Sequence, residues 1–441
     1  MLRPNEFKKI RVNIAFVVGL TAAAGIAMAI DRAPINSSKR LSENSTQNEA
    51  NAAFQKVARR KLSVNERKSA VVAWSYFENN TQPNTGLVNS VNGFPSTTMW
   101  DLGSYLFALT AARKLELITQ GEMQRRIALI IETLSKIQLV DGYLPNKVYN
   151  TQLLEMTDYS NNTTASGIGW SALDMGRLLL ALASLRRVAP EYSQAIGNII
   201  NSWSLNSMVK DGMLFGSTRM SDGTLELRQE GRMGYEQYAA RAAMLYGLDV
   251  LSAVTAFEKL SWRRIQGIKV PIDLRSFRDY GAITPISSEP YFMTALEMGL
   301  DSESNLLAYQ VYRAQEKRYL DTGLRTMVSE DHVDKKPYFL YGTVFGNGKN
   351  WAVLGEDGTS YPELRTVSLK SAFAWNAIYN TKYTRETVAS LDKLQSTGIG
   401  WMAGLYETSR QPNSAVSLNT NAVVLEALHY TVFGPFLNSK K

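Results

Sequence analysis

The sequence predicts an all-α fold, an (α/α)6 toroid of six inner and six outer helices with small β-hairpin insertions. Three observations predict it. After residue 63, polar amphipathic helical segments alternate with more apolar ones, six times over. A loop with Gly, aromatic residues and a carboxylate precedes nearly every apolar segment, at 97–101, 166–170, 230–236, 288–291, 363–368 and 417–422. An apolar content of 45% in 441 residues is enough to fill one large core. In a ring of helical hairpins the inner helices run parallel, so these loops should converge on one end.

The elements follow in order. Arg3, Lys8, Lys9 and Arg11 precede an apolar run at 14–30, and Ala27-Met28-Ala29 offers a cleavage site. Residues 1–30 therefore read as a signal peptide or an N-terminal membrane anchor. Either places the rest of the chain in the periplasm or beyond, secreted or associated with the inner membrane. Residues 31–63 form a polar linker, and 64–438 a single toroidal domain. Outer helices are expected at 64–79, 121–137, 191–205, 253–264, 303–320 and 385–396. Inner helices are expected at 97–112, 170–187, 235–250, 290–299, 367–379 and 418–430. Pro83-Asn84-Thr85-Gly86 stops the first outer helix, Thr97 or Thr98 caps the first inner one, and Pro190 breaks the second inner one. The alternation around Lys210-Asp211-Gly212 and Ser221-Asp222-Gly223 predicts a β-hairpin over 209–230. The aromatic, Gly-containing insertion 321–365 should be β-rich and lie over the ring opening. Gly167-Ile168-Gly169-Trp170 and Gly398-Ile399-Gly400-Trp401 read as equivalent turns into the ring.

Composition removes whole classes of chemistry. The chain has no cysteine, so disulfides, thiolate metal sites and cysteine nucleophiles are excluded. Its only histidines, His332 and His429, leave little room for a zinc site or a Ser-His-Asp triad. No metal or cofactor is expected, and proton transfer must fall on Asp, Glu, Tyr or Lys. The net charge of +8 is partly local to the N-terminal basic stretch and Arg59-Arg60-Lys61. Neither cluster interleaves with aromatics as a nucleic-acid surface does, so no nucleic-acid partner is expected.

The loops supply the candidates. Asp101, Glu236 and Glu289 are the first-choice catalytic acids, with Glu230 and Glu407 next. Each has a bland alternative: Asp101 suits a helix start, Glu289 a cap, and Glu230 or Glu236 an ion pair with Arg232. Glu330-Asp331-His332, inside the insertion, reads as a solvated loop. Trp100, Tyr143, Trp170, Tyr235, Tyr291, Trp351, Trp401 and Tyr406 offer flat faces that stack on sugar rings. Arg232, Asn419 and Asn421 could bind hydroxyls, the two amides serving equally well as caps. Two acids across such a groove suffice for glycoside hydrolysis.

Several blocks then carry a resemblance. Trp100-Asp101-Leu102-Gly103-Ser104-Tyr105, Tyr143-Leu144-Pro145-Asn146-Lys147, the run 231–238, Ser288-Glu289-Pro290-Tyr291 and the run 418–428 resemble the bacterial family known as domain of unknown function 3131. That family is similar to the six-hairpin glycosidases, including endo-β-1,2-glucanases and glucoamylase-like proteins. The resemblance implies a polysaccharide or oligosaccharide substrate, an envelope glucan or exopolysaccharide, and an endo-acting glycoside hydrolase. Two alternatives stay open: a non-catalytic glycan-binding or assembly protein of the envelope, and a polysaccharide lyase in which Tyr or His works with Arg beside a uronate. Fold alone does not choose among them.

Overall fold

The computed structural model describes residues 37–55, 57–275, 282–396 and 398–437. The apolar run expected to direct export lies outside these residues. Among the described residues no helix is long and apolar enough to cross a membrane. The chain divides into two compact units, Met1–Ala52 and Ala53–Lys441. The stretch expected as a linker holds a polar helix, α1 (Ser37–Gln55).

The second unit is built from helical hairpins. Its helices are α2 (Val64–Asn80), α3 (Met99–Lys114), α4 (Gln120–Lys136), α5 (Ala172–Val188), α6 (Ser193–Asn201), α7 (Tyr235–Met244), α8 (Leu251–Val254), α9 (Glu289–Met293), α10 (Ser302–Thr322), α11 (Leu369–Tyr379), α12 (Lys382–Ser390) and α13 (Leu418–Phe433). A π-helical turn, Thr294–Met298, extends α9. The odd-numbered helices from α3 onward close a circuit. Helix α3 packs on α5, α5 on α7, α7 on α9, α9 on α11, α11 on α13, and α13 back on α3. The even-numbered helices pack against members of that circuit from α2 to α12.

Side-chain pattern decides which helix goes where. In α3 every residue from Leu102 to Ala112 is buried, as expected of a helix covered on all sides. In α4 only Met123, Ile127, Ile130, Thr133 and Leu134 are buried, a single stripe at helical spacing. Hydroxyl caps fix the starts. Thr98, Ser171 and Ser417 accept the backbone N–H of Asp101, Asp174 and Thr420 to open α3, α5 and α13.

The expected hairpin is present, with Met213–Arg219 pairing with Leu225–Gln229. The insertion is also β-rich, with strands Glu330–His332, Phe339–Gly342 and Val353–Leu354 in one sheet. Four expectations are corrected. The third inner helix ends at Met244, six residues short of the expected end at 250. The fourth outer helix is cut to the single turn α8. The end of its expected span, from 260, instead enters an antiparallel hairpin, Leu260–Ile265 on Ile268–Asp273. Its two-residue turn, Gln266-Gly267, has φ of 49° and 76°, the left-handed pair that closes hairpins. The sixth outer helix lies earlier than expected, at Lys382–Ser390. The two Gly-Ile-Gly-Trp turns are not equivalent: the first leads straight into α5, whereas Gly400–Tyr406 is a strand and α13 begins only at Leu418.

Candidate active site

The starts of the inner helices carry a linked set of carboxylates. At the start of α3, Asp101 accepts hydroxyl hydrogen bonds from Ser90 and, at 2.9 Å, from Thr98. At the equivalent turn of α5 stands Asp174, half-buried, with Ser171 as its hydrogen-bonding neighbour. Burial raises the Asp174 carboxyl to about 7, reinforced by the negative charges of Glu230 and Asp101. Glu230 turns back to the same helix start, accepting N–H groups of Ala172 and Leu173 and the Ser171 hydroxyl. Burial raises it as well. Gly169 makes this turn possible: at φ 112° a side chain there would drive its Cβ to 2.2 Å from the Ser217 carbonyl oxygen.

The second half of the set joins α9, α11 and the insertion. Glu289 is fully buried and accepts from the Asn419 amide at 2.6 Å and the Ser329 hydroxyl at 3.0 Å. It is also ion-paired with Lys370, itself buried at the start of α11. Glu330 accepts the Tyr235 hydroxyl at 2.6 Å, and burial plus the neighbouring Glu289 push it up to about 8. Asp331 accepts from Thr366 and Ser368 at 2.9 and 3.0 Å, and burial raises it to about 7. These two acids are buried, so the solvated-loop expectation for Glu330-Asp331-His332 is corrected. Burial lowers the His332 imidazole, with Asp101 and Glu289 pulling the other way.

Aromatic rings flank these acids. Trp100 lies 6.0 Å from both Tyr235 and Tyr238, centroid to centroid. Tyr143, exposed, lies 6.2 Å from the buried Trp170. Arg232 donates to the Tyr341 hydroxyl at 2.9 Å. Tyr159 is 61% exposed, yet its hydroxyl stands within electrostatic reach of Asp174, Glu230 and Glu356.

Other candidates are held elsewhere. Glu236 is engaged by Arg275 at 2.6 Å, Gln229 at 2.9 Å and Lys259 at 3.5 Å. One residue along a helix turns the side chain by about 100°, so Tyr235 reaches Glu330 while Glu236 faces this basic group. Glu407 is gripped bidentately by Arg318 and joined by Arg365 at 3.2 Å. Burial opposes its charge, but the guanidiniums outweigh burial and hold the carboxyl below its ordinary range. Trp401 is buried, donates to the Ser69 carbonyl and packs on Phe373. Tyr291 is buried against Gly234. Tyr406 donates to Asp334, and Trp351 stacks on Arg318. Of the two amides, Asn419 belongs to the acid set, whereas Asn421 accepts the Trp401 N–H and is structural.

Asp174, Glu330, Asp331 and Lys370 are the residues that the sequence reading left out of its candidate set. Asp174 had a signal: Ser171-x-x-Asp174 repeats the spacing of Thr98-x-x-Asp101 at the next inner helix. Lys370 had none, since a lone lysine in an apolar helix start says nothing about its partner.

No curated protein sequence matches the chain. Solved structures do match in fold. A provisionally named glucoamylase from Bacteroides fragilis is 11% identical with a TM-score of 0.61, over 84% of this chain and 92% of that one. An endo-β-1,2-glucanase from Chitinophaga pinensis, solved with sophorotriose and glucose, is 10% identical with a TM-score of 0.58, over 87% of this chain and 92% of that one. The endo-β-1,2-glucanase of Talaromyces funiculosus, solved with sophorose, is 11% identical with a TM-score of 0.58, over 84% of each chain. At the level of sequence, the family described as protein of unknown function DUF3131 matches residues 68–434, and the chain belongs to it.

Proposed function

We propose that the protein is an exported glycoside hydrolase with an (α/α)6 toroid, acting inside the chains of an envelope glucan or exopolysaccharide. The observation that carries this reading is the set of acids at the inner-helix starts: some hold a proton near neutral pH, others are ringed by donors, and aromatic rings flank both. A hydrolase needs that division of labour. Asp174 is the proton donor in this reading, because it is partly open to solvent and raised to about 7. Glu289, oriented by Lys370, Asn419 and Ser329, is the anionic partner, with Glu330 supplying a second proton beside it. Asp101 completes the set by raising Asp174. Trp100, Tyr235, Tyr143 and Tyr159 provide the sugar-facing surfaces. Likeness in fold to proteins solved with sophorose and sophorotriose supports β-1,2-linked glucan as the first substrate to try. Export rests on the basic and apolar N-terminal segment.

The lyase alternative draws on Arg232 beside Tyr341. Burial raises the Tyr341 hydroxyl well above the ordinary phenol range, which disfavours the phenolate base a lyase needs. The test is to incubate the purified full chain with β-1,2-glucan, other glucans and acidic exopolysaccharides, reading new reducing ends and unsaturated products separately. Reducing ends lost in Asp174→Asn support the hydrolase. Glycan binding without either product would make this a binding protein.

A further inference from the structure

Deep among the inner helices lies a charged hub that the proposed chemistry does not use. Arg177 on α5 is fully buried and meets four other helices. Its Nε donates to Ser104 of α3 at 3.0 Å. Its terminal nitrogens reach Tyr238 of α7 at 3.2 Å, Glu297 of the π turn at 2.7 Å and Glu426 of α13 at 3.1 Å, with Met293 Sδ also within 3.2 Å. Glu297 and Glu426 are both fully buried. Tyr238 also donates to the second oxygen of Glu297. The second oxygen of Glu426 is buried with no donor at all.

The charges do not balance. One guanidinium faces two carboxylates where water cannot screen them, and Glu289 adds a further negative field from above. An uncompensated buried charge is severely destabilising, so a proton bound by the pair is the economical solution. The Glu426 oxygen that lacks a donor is the one free to carry it beside Glu297. The neutral hub then has a task. The Arg177 guanidinium lies 5.0 Å from the Trp100 ring centroid, and Ser104 touches Asn419, which donates to Glu289.

We propose that Glu297 and Glu426 jointly hold one permanent proton, and that the neutral hub so formed makes Arg177 the positioning residue for Trp100 and for the Asn419–Glu289 contact. The positioning half rests on the acid set being the glycan site; the proton half does not.

Infrared spectroscopy of the full chain tests the proton. At about pH 10 the site acids have ionised, and a protonated carboxyl stretch should persist in wild type and vanish in Glu426→Gln. No such band in wild type overturns the proposal. Stability supplies a second test, because either carboxylate alone can neutralise Arg177. Glu297→Gln and Glu426→Gln should each shift the melting temperature by only a few degrees, while the double variant falls far beyond their sum. Additive effects, or one single variant as damaged as the double, overturn it. For positioning, Arg177→Lys keeps the charge and loses the flat stack. Trp100 emission, isolated by difference against Trp100→Phe, should shift, and β-1,2-glucan binding should weaken about fivefold. Unchanged Trp100 emission overturns the positioning role. If wild type binds no glucan, the glycan reading fails while the infrared, melting and emission results still decide the hub.

Discussion

Outside the Arg177 hub, the carboxylates around the inner-helix starts fall into two groups, and they differ in who holds them. Glu236 and Glu407 are gripped by guanidiniums, from Arg275 and from Arg318 with Arg365. Asp101, Asp174, Glu330 and Asp331 are held by hydroxyls and by each other's fields. The paired guanidiniums hold Glu407 below its ordinary range and commit it to structure. Burial and like charges instead raise Asp174, Glu330 and Asp331 toward neutral pH, which is what acid catalysis requires. Burial is common to both groups, so burial alone does not mark a functional acid.

The sharpest way to break this comparison is to remove one charge from each group. Asp174→Asn should lower turnover on a confirmed glycan by roughly 10²–10⁴-fold while the protein stays folded. Glu330→Gln should do the same, and at pH 8 it should melt no lower than wild type, because the native site already favours a neutral group there. Circular-dichroism melts beside initial rates check both. If Asp174→Asn retains full turnover, the division between the groups fails.

The arginine-held group should behave in the opposite way. Arg275→Met strands Glu236 and Asp273, and should cost about 3–5 kcal/mol of stability. Denaturant titration measures that loss. The rate per folded molecule should be preserved, and a selective loss of turnover would return Glu236 to the catalytic set.

pH separates the groups by sign. The unfolded chain releases carboxyl protons near pH 4, whereas native Asp174, Asp331 and Glu330 keep theirs to about 7, 7 and 8. Their contribution to stability is therefore fully present below about pH 4 and is lost as pH rises through 7 to 8. Glu407, held low, contributes above its unfolded value and loses that contribution as pH falls through its lower folded value. In the triple variant Asp174→Asn/Glu330→Gln/Asp331→Asn, the fall in melting temperature from pH 5 to pH 8 should shrink. An unchanged slope would show that these acids titrate normally.

The smallest expected effect concerns the rim. Tyr159→Ala should weaken glycan binding about fivefold, the worth of one stacking face, and leave kcat nearly unchanged. Titration calorimetry with β-1,2-glucan oligosaccharides would measure it. No change would place Tyr159 outside the glycan path.

Much of the architecture was legible in the chain because it rests on local physics. Most of the alternation between stripe and all-round apolar helices, with Thr98 as the cap of α3, follows from spacing alone. The 260–273 hairpin was missed because its apolar residues suit either period, and the Gln266-Gly267 turn decides between them. The site was half legible. Asp101 and Glu289 lie at helix starts that the sequence marks. Whether Glu236 meets a guanidinium and Glu330 a phenol depends on partners 39 and 95 positions away, which no local pattern encodes.

The shortened fourth outer helix has a mechanical consequence. Between α7 and α9 the circuit is backed by the one-turn α8 and a two-stranded hairpin, where α4 and α10 support other sectors with helices of 17 and 21 residues. A hoop with one thin stave strains there first. Amide hydrogens of α7 and α9 should exchange ahead of those in α3 and α13, and a long polymer could be threaded or released by a transient parting at that sector.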